Sequence, residues 1–326
     1  MSTSTRVRET AGKAVHQVRG LASRLPNEVN SVVRRLAVAS LVGQSALVVT
    51  GGAVRLTASG LGCPTWPKCT AESLTNTSDM GIHGFIEFGN RLLTFALAGV
   101  AIAMLVFLWN LRKERRDLFL LALGLLASIP AQAVIGGITV LSNLNPWVVG
   151  LHFLVSMALV VFATLLVNRA FGRTGRTARP LAPLPGTMRP VMMSLAVLST
   201  LAVMLGVVVT GAGPHAGDAD APRNNLDWDL VSHIHAVPAY LITGGALFAL
   251  AVVLLRQLHG IFRTSVFLLL AVTLLQGVIG FTQYYNGIPE LLVASHMLGA
   301  ALLMSAATNA ADIARSSPQG LSRSPR

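Results

Sequence analysis

Charge is what this chain has least of. Only 12% of its 326 residues are Asp, Glu, Lys or Arg, about half the roughly 25% usual in soluble domains. That scarcity argues against a water-dissolved fold and makes the bilayer the expected solvent. Acidic residues are scarcer than basic ones, 13 against 25, for a net charge of +12. A basic balance can signal nucleic acid, but here the Arg and Lys sit in the tails and in alternate short loops, so no nucleic-acid partner is expected. Cysteine is almost absent: Cys63 and Cys69, both in one loop, are the whole complement. Two cysteines exclude a disulfide-built scaffold and a Cys-rich zinc module. Residues 1–35 hold seven Arg/Lys but no apolar core followed by a small-residue cleavage site. They read as a cytoplasmic tail, not a signal peptide.

Long apolar runs are plentiful. Eight are long enough to cross a bilayer, which takes about 20 residues. They lie near 36–54, 82–109, 118–140, 147–168, 190–211, 229–255, 264–284 and 289–312. The expected fold is all-α and integral to the membrane: a four-helix bundle over 36–171, a cytoplasmic linker over 172–189, a second bundle over 190–312 and a tail over 313–326. Basic residues concentrate in 1–35, 111–117, 169–189, 256–263 and the C-terminal tail. The other loops carry few: Arg55 and Lys68 in the first, Arg223 in the third. The positive-inside rule then puts both termini in the cytoplasm and the Cys loop outside a multi-pass cell-membrane protein.

The chain repeats itself. Gln132-Ala-Val-Ile-Gly136 is followed by His152; Gln276-Gly-Val-Ile-Gly280 is followed by His296. Twenty residues separate Gln from His each time, across a turn from Asn143 to Pro146 or from Asn286 to Pro289. Val48-Val-Thr-Gly51 matches Val208-Val-Thr-Gly211. Halves of four spans each have the same orientation, so a pseudo-two-fold axis along the membrane normal should relate them.

Ionisable groups inside spans are costly and point to function. Spans 2, 4, 6 and 8 all enter from the outer side. At 1.5 Å per residue, His152, His235 and His296 fall roughly 9–10 Å below the outer helix ends, at one level. Imidazoles from different helices facing one cavity are how a bundle ligates heme. A proton relay is the competing use of such groups, and interhelical hydrogen bonding the plain one. His296 is the expected ligand of the second half. Its partner is His235 or His233, two positions apart and so about 200° apart around the helix. Counting back from the Gln motifs sets His235 opposite Asn90 and favours His235. In the first half His152 is the counterpart of His296. Its own partner is open: Asn90 is a poor ligand, and His83 lies two turns nearer the surface. His83, Glu87 and Asn90 share one stripe. Glu87 with Arg91 reads either as reactive machinery or as a packing ion pair. Cys63 and Cys69 suit a loop staple or a redox pair in an oxidising compartment. Arg55, Arg91 and Arg223 lie near the outer level, where they could pair with heme propionates.

Gly51-Gly-Ala-Val-Arg55, then Gly62-Cys-Pro-Thr-Trp-Pro-Lys-Cys69 and Glu87-Phe-Gly-Asn-Arg91, resemble the heme A synthase family, in particular its actinobacterial branch. The resemblance runs over about 36–312. It implies an oxidoreductase that converts the C8 methyl of heme O to the formyl of heme A for terminal oxidase assembly. It implies Glu87 as an essential acid in a catalytic N-terminal half, and His152 as that half's heme ligand. Asn90, Arg91 and His83 would complete the substrate-heme pocket. His235 and His296 become the axial pair of a heme b in the C-terminal half, with Cys63 and Cys69 disulfide-linked. Partners implied are heme O and heme A, a heme O synthase, oxidase assembly proteins, an electron donor and membrane lipid, with room for a homo-oligomer. The chain departs from the family pattern at Asn90, where many members carry a first ligand, and lacks a second Cys pair. Two other classes remain to be distinguished: a non-catalytic membrane cytochrome b exchanging electrons with quinol, and a His/Glu proton-coupled transporter.

Overall fold

A computed structural model describes residues 25–320. The expected tail segments 1–24 and 321–326 lie outside the described residues. Eight helices follow in order: α1 Ser31–Leu56, α2 Gly81–Phe107, α3 Arg116–Leu141, α4 Pro146–Ala170, α5 Met188–Ala212, α6 Trp228–Leu255, α7 Ile261–Tyr285 and α8 Glu290–Ser316. A 3₁₀ turn, Ser78–Met80, leads into α2. All eight helices are long and apolar enough to cross a membrane. In lipid every backbone group must be satisfied within the element, and helices do that. Mean hydropathy of the spans runs from 1.6 to 2.4, yet only 17–33% of each apolar window is buried inside the protein. Large apolar side chains face outward, among them Phe95, Leu255 and Leu291. In water such a surface would be an aggregation liability; against acyl chains it is the fitting one.

The helix starts are written locally. Asn30 accepts the Val33 N–H through its side chain at 3.1 Å, so α1 begins at Ser31, five residues before the expected span. Asn145 accepts from Trp147 at 3.0 Å and Pro146 takes the first position of α4. Asp227 accepts from Leu230 at 2.9 Å at the start of α6. Each cap satisfies an amide that the helix cannot.

Each half closes on itself. α1 packs on α2 and α4, and α3 on α2 and α4; α5 to α8 repeat this ring. Between halves α4 meets α8, α1 meets α8 and α4 meets α5. Exchanging the halves leaves this set of principal contacts unchanged. The shared core is Val48, Met157, Val160, Val203, Ala301 and Met304, one or two residues from each of those four helices.

Polar bonds pin the α4–α8 contact. Thr164 bonds Ser305 at 2.9 Å. Two turns on, Asp312 receives Arg169 through both oxygens at 2.7 and 3.0 Å, Asn168 at 3.0 Å and Thr174 at 2.6 Å. This clasp explains why α8 runs on to Ser316, past the expected end at 312. The linker is tied there too: Leu184–Pro185 pairs in parallel with Gln319–Gly320.

Asp312 is only 8% exposed. Removing it strands the Arg169 guanidinium, a loss of about 3 kcal/mol for a buried pair broken on one side. Asp312→Ala is expected to lower the thermal denaturation midpoint of the detergent-solubilised protein clearly. An unchanged midpoint would mean the clasp contributes nothing to holding the halves together.

Candidate functional site

The repeated Gln has a structural task. Gln132 Nε2 donates to the backbone carbonyl of His152 at 3.3 Å, and Gln276 Nε2 to that of His296 at 3.1 Å. The two bonds fix the height of α4 on α3 and of α8 on α7. The intervening turns match as well. Leu144 N–H bonds Thr139 O at 2.8 Å and Ile288 N–H bonds Gln283 O at 2.9 Å. Residues 143, 144, 287 and 288 all take positive φ. Each His then lies against the glycine that closes its own Gln motif. A β-carbon on Gly136 would sit 3.4 Å from His152 Cε1, and one on Gly280 3.4 Å from His296 Cε1.

In the C-terminal half His235 and His296 face one another, ring centres 6.3 Å apart and planes at 79°. His235 lies against Gly206, where a β-carbon would come within 3.1 Å of its Cε1. Two imidazoles sharing one metal at about 2.0 Å, with roughly 1.1 Å more to each ring centre, would have centres within about 6.2 Å, so the observed spacing admits one metal between them. Nδ1 of His152, His235 and His296 and Oε1 of Gln132 and Gln276 are buried polar atoms without a hydrogen-bond partner. Among the described residues no three His, Cys, Asp or Glu side chains gather to hold a metal ion. Two imidazoles are too small a donor set for a bare ion and suit a metal that brings its own ring of four nitrogens. The residues of this half therefore fit a heme.

His233 lies elsewhere. Its Nδ1 pairs with the Asp229 carbonyl at 2.8 Å, its ring meets Tyr284 edge-on at 5.9 Å, and its side chain is 67% exposed. Its two-residue offset from His235 has turned it outward.

The N-terminal half differs on α2. Asn90 stands where His235 stands on α6, and Thr50 donates to its Oδ1 at 2.7 Å. Ala46 stands in the place of Gly206. One turn before Asn90, Glu87 is 6% exposed. Its Oε2 accepts the Cys63 N–H at 2.6 Å and its Oε1 accepts Arg91 Nη2 at 2.5 Å. The same register sets Ser232 opposite Glu87 and Ala236 opposite Arg91, so the acid and its base belong to the first half alone. His83 sits in the first turn of α2 with Nδ1 on Ser59 Oγ at 2.9 Å, beside the loop rather than level with His152.

The Cys63–Cys69 disulfide closes the loop over this half, and both cysteines are fully buried. Arg91 reaches the loop carbonyls of Cys63 and Thr65 at 3.5 and 3.4 Å. Trp66 packs its indole on Gly137, where a β-carbon would come within 2.4 Å. Glu87, the loop, Trp66, Gly137, Gly136 and His152 thus form one continuous chain of contacts. Arg55 spans the halves: Nη2 donates to Thr210 O at 2.7 Å and Nε to His215 O. Arg223 bonds Ala221 O at 2.6 Å and Pro214 O at 2.7 Å within its own loop.

A family model described as cytochrome oxidase assembly protein matches residues 34–308. The chain belongs to that family. A heme A synthase of Listeria welshimeri is 28% identical over 269 residues, 77% of this chain and 86% of that protein. One from Symbiobacterium thermophilum is 31% identical over 190 residues, 56% of this chain and 60% of that protein. One from Lysinibacillus sphaericus is 30% identical over 142 residues, 42% and 46%. The chain therefore spans about half the length of the last two in what it matches.

For this member of the cytochrome oxidase assembly family, sequence reasoning missed Trp66, Gly137 and the three glycines under imidazole rings, Gly136, Gly206 and Gly280, as site-forming residues. Gly136 and Gly280 were written in the repeat, but a glycine in a helix does not say what rests on it. Gly137→Val should displace Trp66 and lift the loop. The measurement is maleimide labelling of Cys63 and Cys69 after mild reductant: slow in the wild type and several-fold faster in the variant. Equal rates would show that the indole does not hold the loop down.

Proposed function

We propose that this chain is a heme A synthase that oxidises the C8 methyl of heme O to a formyl group, a net four-electron oxidation driven by an external oxidant, through hydroxylation and loss of water. The observation that carries the reading is the inequality of two halves built on one plan. One opposes His235 to His296 at 6.3 Å; the other keeps His152, replaces its opposing imidazole by Asn90, and adds a buried carboxylate one turn away. Equal halves would suit an electron carrier.

His235 and His296 would hold a heme b, which when bound supplies one-electron transfer. His152 would hold the iron of the substrate heme. Glu87, fixed from both sides by the Cys63 amide and Arg91, is the group positioned to take up or release a proton beside the reacting methyl. The disulfide loop, seated by Trp66 on Gly137, keeps water out and so strengthens that electrostatic control. Arg55 and Arg223, held on backbone carbonyls at the loop end, would meet carboxylates of a bound porphyrin by exchanging those partners. The basic residues of the opposite loops orient the Cys loop to the extracytoplasmic side. Heme O arrives from a heme O synthase, and heme A passes on toward oxidase assembly.

The test is extraction and identification of the hemes bound to protein purified from cells supplied with heme O. Wild type is expected to yield heme B with heme O or heme A; Glu87→Ala is expected to keep heme B and lose heme A. Heme B alone in the wild type, with no heme A in the cells, would overturn the reading. In parallel, His235→Ala is expected to lose the C-terminal heme spectrum and His233→Ala to retain it. The reverse result would reassign the axial ligand on α6.

A further inference from the structure

We infer that a heme in the N-terminal half is held through His152 alone, and that the opposite face of its iron, on the Asn90 side, is open to a small diatomic ligand. The inference rests on the reading of that half as a heme site and concerns what this chain has done to it.

The His152 side keeps the full plan of the C-terminal half. The Gln-to-carbonyl bond, the positive-φ turn and the glycine under the ring recur at equivalent positions with nearly equal distances. The α4 side keeps these parts and adds one bond, from Gln132 Nε2 to Ser156 Oγ at 2.7 Å, where α8 has Ala300.

The α2 side has lost both parts of its plan. In the C-terminal half the α6 imidazole rests on Gly206, and a β-carbon there would lie only 3.1 Å from His235 Cε1, close enough to push the ring by a few tenths of an ångström. In the N-terminal half Ala46 supplies that β-carbon and the imidazole is gone. The ring and its seat have changed together. Asn90 does not take over the task. A carboxamide nitrogen is a donor with no lone pair to offer, and its oxygen accepts the Thr50 hydroxyl at 2.7 Å. That bond draws the side chain onto α1.

The other polar groups on this stripe are committed. Glu87 accepts at both oxygens, from Cys63 and Arg91. His83 is seven residues earlier, about 10 Å along the helix axis, with its ring on Ser59. Neither offers a sixth ligand at the level of His152. Iron bound by four porphyrin nitrogens and one imidazole takes a further small ligand; iron between two imidazoles does not readily do so. The two hemes should therefore differ in spin state and in reactivity with carbon monoxide.

The experiment uses full-length protein in detergent, saturated with added hemin, with heme stoichiometry counted and carbon monoxide as the probe. The wild type is expected to bind two hemes: one low-spin and inert to carbon monoxide, one high-spin when ferric and reactive when ferrous. His152→Ala should lose the reactive heme. Asn90→Ala should keep it. Asn90→His with Ala46→Gly rebuilds ring and seat together. It should turn the reactive heme low-spin and abolish its carbon monoxide difference spectrum, whereas Asn90→His alone, crowded by the Ala46 β-carbon, should do so incompletely. Two hemes that are both low-spin and inert in the wild type would overturn the inference while leaving the site reading intact. A single heme at saturation would overturn both.

Discussion

The structure depends on seating imidazole rings inside an apolar bundle. Each ring rests on a glycine of its neighbouring helix: Gly136 under His152 and Gly280 under His296 at the edge of ordinary contact, and Gly206 more tightly under His235. Interiors are packed too densely for a ring to be accommodated by slack. The height of each ring is then set by a side-chain amide on the neighbouring helix, Gln132 or Gln276, bound to the backbone of the His itself. In lipid, where apolar contact between helices has no solvent-driven advantage, such bonds and close small-residue contacts define register. The spacing of Gln and His is thus a consequence of helix pairing across a tight turn.

On this shared plan the first half carries additions that the second lacks. Glu87 is buried, and a buried carboxylate must be paired. Arg91 and the Cys63 amide provide the pairing, and the amide comes from a loop that is itself held down by other contacts. The disulfide shortens that loop and Trp66 seats it on Gly137. Removing any one member weakens the others, because the loop fixes the acid and the acid helps fix the loop. The arrangement gives Glu87 a defined position without placing it on a mobile segment.

Much of this was legible in the sequence. Length and hydropathy set out the eight spans, because a bilayer leaves few alternatives. The two-residue offset between His233 and His235 implied opposite faces, and the structure has one facing His296 and the other facing outward. Helix ends were less legible: α1 begins earlier and α8 ends later than the apolar runs, since caps and ion pairs extend helices past the hydrophobic stretch. The Asp312 clasp joins residues 143 and 144 positions apart, and no local pattern announces such a pairing. Arg55 read as a partner for carboxylates; in the structure its guanidinium caps carbonyls at the end of α5 and in the loop beyond. Its charge was evident from sequence, but the choice among acceptors is tertiary.

The pattern of divergence follows from packing. α4 and α8 carry His152 and His296 and also press against each other across the halves, with Thr164, Asn168 and Arg169 bonded to Ser305 and Asp312. A change on either helix disturbs the interface and both sites at once. α2 and α6 make their principal contacts only within their own halves. A substitution there is felt locally. Glu87 against Ser232, Asn90 against His235 and Arg91 against Ala236 all lie on this pair. The helices at the interface carry the same imidazole at matching positions, and the helices away from it carry different side chains.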